Sequence, residues 1–303
     1  MVKILSAAQK STKWLELCES KIGKSHIMRG KPNQDANKCR HLDRGRAGLI
    51  VVVSDGHGGD RYVRSKHGAS MAASITCRYL KERLAPYWDM PSAAVRVSLT
   101  ELQEEVPRYL LRQWRSTVRE HMATEPWTDQ EKQFGWGNGP VEDAYTAYGA
   151  TLLFAAALPE FILYGQLGDG DMLTVARNGA IARPIARSES SFANETLSLC
   201  SRSAEANMTL AMQRYGAGSL KPEDLPPDMV FLATDGYSNS FQNEEGFIEN
   251  VAGIHDYLRS SNGYSSVKRS LPHWVENCAQ SGSGDDVTVA LLFPESLISR
   301  TSS

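Results

Sequence analysis

The sequence lacks the features that would tie a chain to a membrane or to nucleic acid. No apolar run approaches the roughly 20 residues that cross a bilayer, and the apolar patch at the start is too short for a signal peptide. Lysine and arginine number 33 against 35 aspartates and glutamates, so the net charge of -2 gives no basic field to attract nucleic acid. We therefore expect a cytoplasmic protein with no nucleic-acid or membrane partner, and the composition leaves the oligomeric state open.

Cysteine is scarce and scattered. The cysteines are odd in number, and no pair of them has the spacing of a zinc site or of a redox motif. Such a pattern is typical of reduced thiols in a cytoplasm. We accordingly expect free thiols at all five positions, Cys18, Cys39, Cys77, Cys200 and Cys278.

The stretch over residues 48–60 organises the rest of the chain. Its apolar half, with three consecutive valines at 51–53, predicts a buried strand. The strand ends in Asp-Gly-His-Gly-Gly, where the glycines let the backbone turn and let a ligand approach it. The pattern fits Asp55 and His57 held for chemistry at the tip of a rigid element, and it equally fits an ordinary Asp-Gly turn after a strand.

The remaining chain mixes strands with helices and shows no internal repeat or linker. Hydrophobic residues make up 41% of the 303, which is enough for a sizeable core. We predict one domain over residues 13–295, with a lead-in at 1–12 and a tail at 296–303, and a loop at 126–140. Hydrophobic periodicity predicts strands near 14–19, 22–28, 148–158, 161–165, 172–176, 196–200, 208–212, 228–236 and 287–293, and helices near 63–84 (ended by Pro86), 93–122 (kinked or broken at Pro107), 247–258 and 267–278.

Five turns carry aspartates, and three of these turns adjoin strong strand candidates. Neighbouring strands would bring the carboxylates together at their ends, where they stay ionised only beside something positive. Oxygen ligands suit hard cations such as Mg²⁺, Mn²⁺ or Ca²⁺, and no histidine or cysteine cluster favours zinc or copper. If the turns converge, the expected site is a two-metal centre with a bridging water. The carboxylates belong to Asp35, Asp55, Asp169, Asp235 and Asp285, with Asp286 beside the last.

The order of the motifs along the chain resembles the metal-dependent protein phosphatases, the type 2C serine/threonine phosphatases. The resemblance covers residues 33–292, nearly the whole chain, and the Pro-Asn-Gln-Asp-Ala and Gly-Asp-Gly forms are most similar to bacterial members. It implies an α+β fold in which two antiparallel β-sheets pack face to face between outer helices, as four αββα layers. The motifs are Asn-Gln-Asp at 33–35, Val-Val-Val-Ser-Asp-Gly-His-Gly-Gly at 51–59, Gly-Ala-Thr-Leu at 149–152, Leu-Gly-Asp-Gly at 167–170, Phe-Leu-Ala-Thr-Asp-Gly at 231–236 and Asp-Asp-Val-Thr-Val at 285–289.

The resemblance also implies a set of metal ligands. Asp55 would bridge two Mn²⁺ or Mg²⁺ ions, and the Gly56 carbonyl would bind one of them. Asp235 and Asp285 would complete the shell of the first ion. Asp35 would act on the second ion, either directly or through water.

Three further positions follow from the same resemblance. Asp169 would hold a third, weaker ion and share Asp235 with the first. His57 would be the general acid that protonates the leaving oxygen, which is a poor leaving group as an alkoxide. Asp286 stands where the family usually has asparagine, so the resemblance assigns it no role.

The phosphate-binding position departs from the family pattern. Many relatives carry an arginine five residues before the first metal-binding aspartate, where this chain has Gly30. The flanking Arg29 and Lys31 are our candidates to replace it, and His26 is another; the same charges also fit a solvated loop. Residues 183–225 fall where the family has its variable flap, and we expect them to influence substrate choice.

The implied activity is hydrolysis of phosphoserine and phosphothreonine monoesters by direct attack of a metal-bridging water or hydroxide. The partners would be a phosphorylated protein and an opposing serine/threonine kinase in a signalling pair. The alternative is a weak or inactive pseudophosphatase that binds phosphoproteins as a regulator, which Gly30 and the 126–140 insertion keep open. A nuclease lacks its basic groove here, and a cysteine-based phosphatase would need a glycine-rich, arginine-ended loop that the chain does not carry.

Overall fold

Ten strands and ten α-helices make up the part of the chain that the structure, a computed structural model, describes: residues 12–42, 47–88, 98–137, 139–187, 197–215 and 225–299. The strands are β1 (Trp14–Lys21), β2 (Ala36–His41), β3 (Leu49–Ser54), β4 (Leu152–Ala157), β5 (Phe161–Leu167), β6 (Asp171–Val175), β7 (Ile181–Ala182), β8 (Thr209–Arg214), β9 (Met229–Ala233) and β10 (Val287–Pro294). The helices are α1 (Lys24–Met28), α2 (Ser65–Trp88), α3 (Leu99–Thr124), α4 (Asp129–Gln133), α5 (Val141–Ala144), α6 (Ala204–Asn207), α7 (Asp235–Ser238), α8 (Glu244–Arg259), α9 (Gly263–Ser281) and α10 (Glu295–Ser299), with a 3₁₀ helix at Tyr145–Tyr148.

Two five-stranded antiparallel sheets stack at the centre of the molecule. One sheet has the order β1-β10-β9-β6-β7 and the other β2-β3-β4-β5-β8. One apolar cluster fills the space between the sheets, a second lies between the β3 sheet and helices α2 and α3, and a third lies between the β10 sheet and helices α8 and α9. This arrangement confirms the predicted α+β fold of four αββα layers.

Strand β3 shows why the central apolar run has no polar alternation. Leu49, Val51 and Val53 face the other sheet, while Ile50 and Val52 face the helices. Successive side chains of a strand point to opposite faces, so a strand covered on both sides is apolar throughout. The end of such a strand is held by packing on two faces, and Asp55 follows it directly.

Several predicted elements differ from the observed ones. The predicted strand at 22–28 is wrong because β1 pairs with β10, and residues 24–28 form α1 instead. Residues 197–200 are turn and coil, not a strand. Helix α2 runs two residues past Pro86, and α3 continues through Pro107, since burial of the apolar face outweighs the hydrogen bond that proline removes. Residues 93–97 lie outside the described residues, as do 1–11 of the predicted lead-in, 188–196 and 216–224 of the predicted flap and 300–303 of the predicted tail, while 296–299 belong to α10.

The prediction of five free thiols is wrong. Cys18 and Cys39 form a disulfide, and Cys77, Cys200 and Cys278 are free. Cys18 lies on β1 and Cys39 on β2, the edge strands of the two stacked sheets. The sequence could not reveal the pair, because its partners are 21 residues apart and meet only when the sheets stack.

The predicted loop at 126–140 contains a short helix and is anchored to the core. Helix α4 begins with a capping box between Thr128 and Glu131. The buried Arg64 guanidinium donates to both oxygens of Glu131, at 2.6 and 2.9 Å, and to the hydroxyl of Tyr148 at 2.9 Å. These contacts hold the pKa of Glu131 down at about 2.

We expect the disulfide to leave three alkylatable thiols. Denatured protein, with thiols trapped by iodoacetamide and no reductant, should gain three adducts by mass spectrometry, and five after reduction. Cys18→Ser is the matched control, because it frees Cys39 and should gain four adducts without reductant. Five adducts on the unreduced native sequence would contradict the pairing.

We expect Glu131→Gln to lower the free energy of unfolding by about 2 kcal/mol at pH 7, since a buried guanidinium loses its charged acceptor. The folded pKa of Glu131 lies below its ordinary value of 4.5, so its contribution is complete above pH 4.5 and is lost as the pH falls through about 2. The gap between the two proteins in urea unfolding should therefore shrink over that range. Glu142→Gln, at an exposed carboxylate of the same insertion, is the control, and an equal loss in both variants would argue against the pairing.

Candidate metal centre

The strand register brings the aspartate-bearing turns to one end of the sandwich. Asp35 precedes β2 and Asp55 follows β3, and these strand ends pair as Ala36 with Ser54. In the other sheet, Ala233 at the end of β9 pairs with Asp171, two residues after Asp169. The β9 strand also pairs with β10, which begins just after Asp285 and Asp286. The convergence that the sequence left conditional is therefore present in the fold.

The carboxylates lie close enough to raise one another's pKa. Burial raises the pKa of Asp55 well above its usual range, and the charges of Asp35, Asp235 and Asp169 raise it further. Asp235 titrates at about 6, because of burial and then the charges of Asp169 and Asp285. All five predicted ligands therefore belong to one electrostatic cluster.

The carboxyl groups of Asp55 and Asp235 are neighbours in the cluster, and the charge of Asp235 raises the pKa of Asp55. A cation among such groups would relieve the repulsion that opposes their joint ionisation.

Hydrogen bonds to neighbouring strands fix the outer members of the cluster. The Thr234 hydroxyl donates to Oδ2 of Asp35 at 2.9 Å, while Oδ1 of Asp35 is buried without a hydrogen-bond partner among the described residues. Burial, and then the charge of Asp286, raises the pKa of Asp35 well above its usual range. The amide of Asp55 donates to the Thr151 hydroxyl at 3.0 Å. A buried carboxylate oxygen without a donor is suited to a cation.

The donor set fits hard divalent ions in kind. Carboxylate oxygens prefer Mg²⁺ and Mn²⁺. All five predicted side-chain ligands are aspartates, so the predicted set offers neither sulfur nor imidazole. Within the described ranges, no three His, Cys, Asp or Glu side chains meet the spacing of a preformed metal site. The oxygens are therefore gathered at one end of the molecule without yet surrounding a single point.

Gly56 occupies a position that no other residue could fill. It pairs with Ala150 in an isolated bridge. A Cβ atom on it would lie 2.4 Å from the backbone oxygen of Gln34 and 2.8 Å from that of Ser65. The glycine that follows the strand is thus required by the close approach of two other chain segments, whatever its carbonyl binds.

His57 lies partly buried beside the cluster. Its amide donates to the carbonyl of Gly149 at 3.1 Å, and its ring packs against Tyr62 with centroids 4.7 Å apart. Burial lowers the pKa of His57, and the charge of Asp169 acts in the opposite direction. Gly149 is needed here, because a Cβ atom would come within 2.8 Å of the His57 ring.

Asp286 is a functional residue to which sequence reasoning gave no role. Its carboxylate accepts the amide of Gly23 at 2.7 Å and the amide of Gln34 at 2.6 Å, and His26 Nδ1 lies 2.8 Å from it. It therefore fixes the loop that leads into Asp35. The only sequence signal was that Asp286 is a second acidic residue next to a strand. That pattern does not show which loop the residue holds.

The phosphate-binding candidates occupy different surroundings. Lys31 Nζ donates to the carbonyl of Gly58 at 2.5 Å, next to His57. Arg29 is exposed at the end of α1, and Gly30 has a φ of 66°. His26 is buried against Asp286, so it supports the loop and does not face solvent.

Comparison with known proteins identifies the family. A family model described as protein phosphatase 2C matches residues 22–276. The chain belongs to the protein phosphatase 2C family. A comparison with curated proteins found no match. Among the described residues, no helix has the length and apolarity needed to cross a membrane.

Solved structures, among them two serine/threonine phosphatases, share the fold at low sequence identity. PppA, described as a key regulatory component of T6SS in Pseudomonas aeruginosa, is 19% identical with a TM-score of 0.55, over 94% of this chain and 99% of that chain. The serine/threonine phosphatase Stp1 from Staphylococcus aureus is 14% identical with a TM-score of 0.54, over 93% and 96%. The catalytic domain of the serine threonine protein phosphatase PstP, in complex with two manganese ions, is 17% identical with a TM-score of 0.51, over 93% and 98%.

We expect Asp286→Asn to lower the free energy of unfolding by about 1–3 kcal/mol, because the new amide group faces at least one backbone N–H without being able to accept from it. Urea unfolding monitored by circular dichroism measures the change. Asp129→Asn, at an exposed carboxylate of α4, is the control and should shift stability by less than about 0.5 kcal/mol. Equal stability of both variants would show that Asp286 does not hold this loop.

Proposed function

We propose that this chain is a metal-dependent phosphatase of phosphoserine and phosphothreonine in proteins. The observation that carries the proposal is the meeting of Asp35, Asp55, Asp169, Asp235 and Asp285 at one end of the sandwich with His57 beside them. Family membership supports metal-dependent phosphatase chemistry in general. The assignment of each residue, the protein substrate and the opposing kinase are part of the proposal.

Two Mn²⁺ or Mg²⁺ ions would be held by Asp55 between them, with Asp235, Asp285 and the Gly56 carbonyl on one side and Asp35 on the other. When bound, such ions make water nucleophilic at neutral pH and neutralise charge on the phosphoryl group. Asp169 lies within electrostatic reach of Asp55 and Asp235, which supports a weaker third site.

The chain's own residues would position the substrate and move the proton. His57 would donate a proton to the departing serine or threonine oxygen, which needs one because an alkoxide leaves poorly. Tyr62 packs against the His57 ring and orients it. Lys31 and Arg29 would supply positive charge near the phosphate, as point charge and as guanidinium.

A regulator that binds phosphoproteins without turnover is the second candidate. It is favoured by Gly30 in place of arginine. It shares the site and differs only in the chemical step. A cytoplasmic location also remains a proposal, and the bonded Cys18–Cys39 pair argues against it, since cytoplasmic disulfides are rare.

We expect turnover of p-nitrophenyl phosphate and of a phosphothreonine peptide with Mn²⁺, abolished by EDTA and restored by added Mn²⁺. Asp55→Asn should lower kcat at least about a hundredfold, the usual cost of removing one preorganised electrostatic group. Asp256→Asn, at an exposed carboxylate on α8, should leave the rate unchanged.

Turnover that survives both EDTA and Asp55→Asn would rule out this mechanism. Phosphopeptide binding without turnover at any Mn²⁺ concentration would favour the regulator. The absence of both phosphopeptide binding and turnover would contradict both candidates.

A further inference from the structure

A pocket of about 540 Å³ lies beside the candidate metal centre, between the end of α3 and the insertion that follows it. Aromatic rings of Trp127, Phe134 and Trp136 line it, together with the side chains of Arg61 and Arg119. Its volume falls in the range of ligand pockets that combine apolar walls with a few polar groups. The mechanism proposed above makes no use of it.

The aromatic wall is held in place from behind. The Trp127 ring lies over the Arg64 guanidinium at 4.0 Å and packs on Trp136 with ring centroids 6.0 Å apart. Arg64 is itself fixed by Glu131 and Tyr148. A pocket whose walls are already ordered costs little conformational entropy when it is filled.

The pocket is linked to the candidate catalytic residues by two adjacent side chains. The ring of Tyr62 packs against His57, and the preceding residue, Arg61, lines the pocket and extends over the Trp136 ring at 5.5 Å from its centroid. An extended peptide advances about 3.4 Å per residue, so a short segment that carries a phosphate to the His57 side can also place a side chain in a neighbouring pocket.

The charges at the pocket favour an acidic ligand. Arg61 and Arg119 are exposed, and neither forms an ion pair with any described residue. Asp143 is the one carboxylate among the described lining residues, so cationic groups outnumber it. Phe134 keeps 43% of its surface exposed, which leaves apolar area for a partner to cover. An apolar side chain next to a carboxylate matches both features.

We propose that this pocket is a docking subsite for the phosphoprotein substrate. It receives an apolar or aromatic side chain with an adjacent acidic residue, a few residues from the phosphorylated one. The inference rests on the proposed phosphatase function, and it names the sequence class that the enzyme prefers. Arg61, Arg119 and Phe134 are the residues that select it.

The test uses synthetic phosphothreonine peptides that place a Phe-Glu pair at each position from two to six residues on either side, in an alanine and serine background. We expect one placement to raise kcat/KM about tenfold over the peptide without the pair, the usual yield of one apolar contact. Arg119→Glu and Phe134→Ala should each remove most of that gain. Arg112→Glu, the same charge reversal two turns earlier on α3, should not.

Turnover of p-nitrophenyl phosphate separates this inference from the proposed function. It should be equal in all these variants, since that substrate is too small to reach the pocket. Without any such turnover the phosphatase proposal fails, and fluorescence anisotropy with labelled peptides then tests docking by itself through the same variants. No dependence on the placement of the pair, or equal loss in Arg119→Glu and Arg112→Glu, would overturn the docking subsite.

Discussion

The main constraint on this structure is that the fold holds several mutually repelling carboxylates close together. Asp35, Asp55 and Asp235 lose hydration where the sheets end, and each feels the charge of another aspartate. Such groups stay charged only with a cation among them, and without one the pKa of Asp55 and of Asp235 is raised. The cost of this arrangement is met by the apolar layers behind it, which hold the strand ends in register. Repulsion of this kind is what the proposed divalent ions would relieve.

Support for the cluster comes from residues with no chemical role of their own. Asp286 fixes the loop into Asp35 by accepting two backbone amides. Gly56 and Gly149 let neighbouring segments approach more closely than a side chain would allow. These contacts explain why the turns that follow rigid strands are themselves rigid, which a catalytic site needs in order to keep groups within a fraction of an ångström.

The insertion after α3 is anchored to the core by one buried cation. Arg64 binds Glu131 and Tyr148, while Trp127 lies on its guanidinium. The same cation therefore fixes the insertion and shapes the wall of the neighbouring pocket. Because the carboxylates belong to the sheets and the pocket to the insertion, the two can change independently.

The motif order in the sequence predicted the layered fold through its resemblance to a known family, and apolar strands followed by aspartate-bearing turns marked the candidate carboxylates, because such local patterns can be recognised without the fold. It could not show that the turns meet, nor the role of Asp286, nor the pairing of Cys18 with Cys39, since each depends on strands far apart in the chain being stacked. The sequence also did not predict the ordered structure of the insertion, because Glu131 is held by the Arg64 guanidinium, 67 residues away in the chain. Local pattern decided the elements, and only the long-range contacts of the tertiary structure decided which of them share a site.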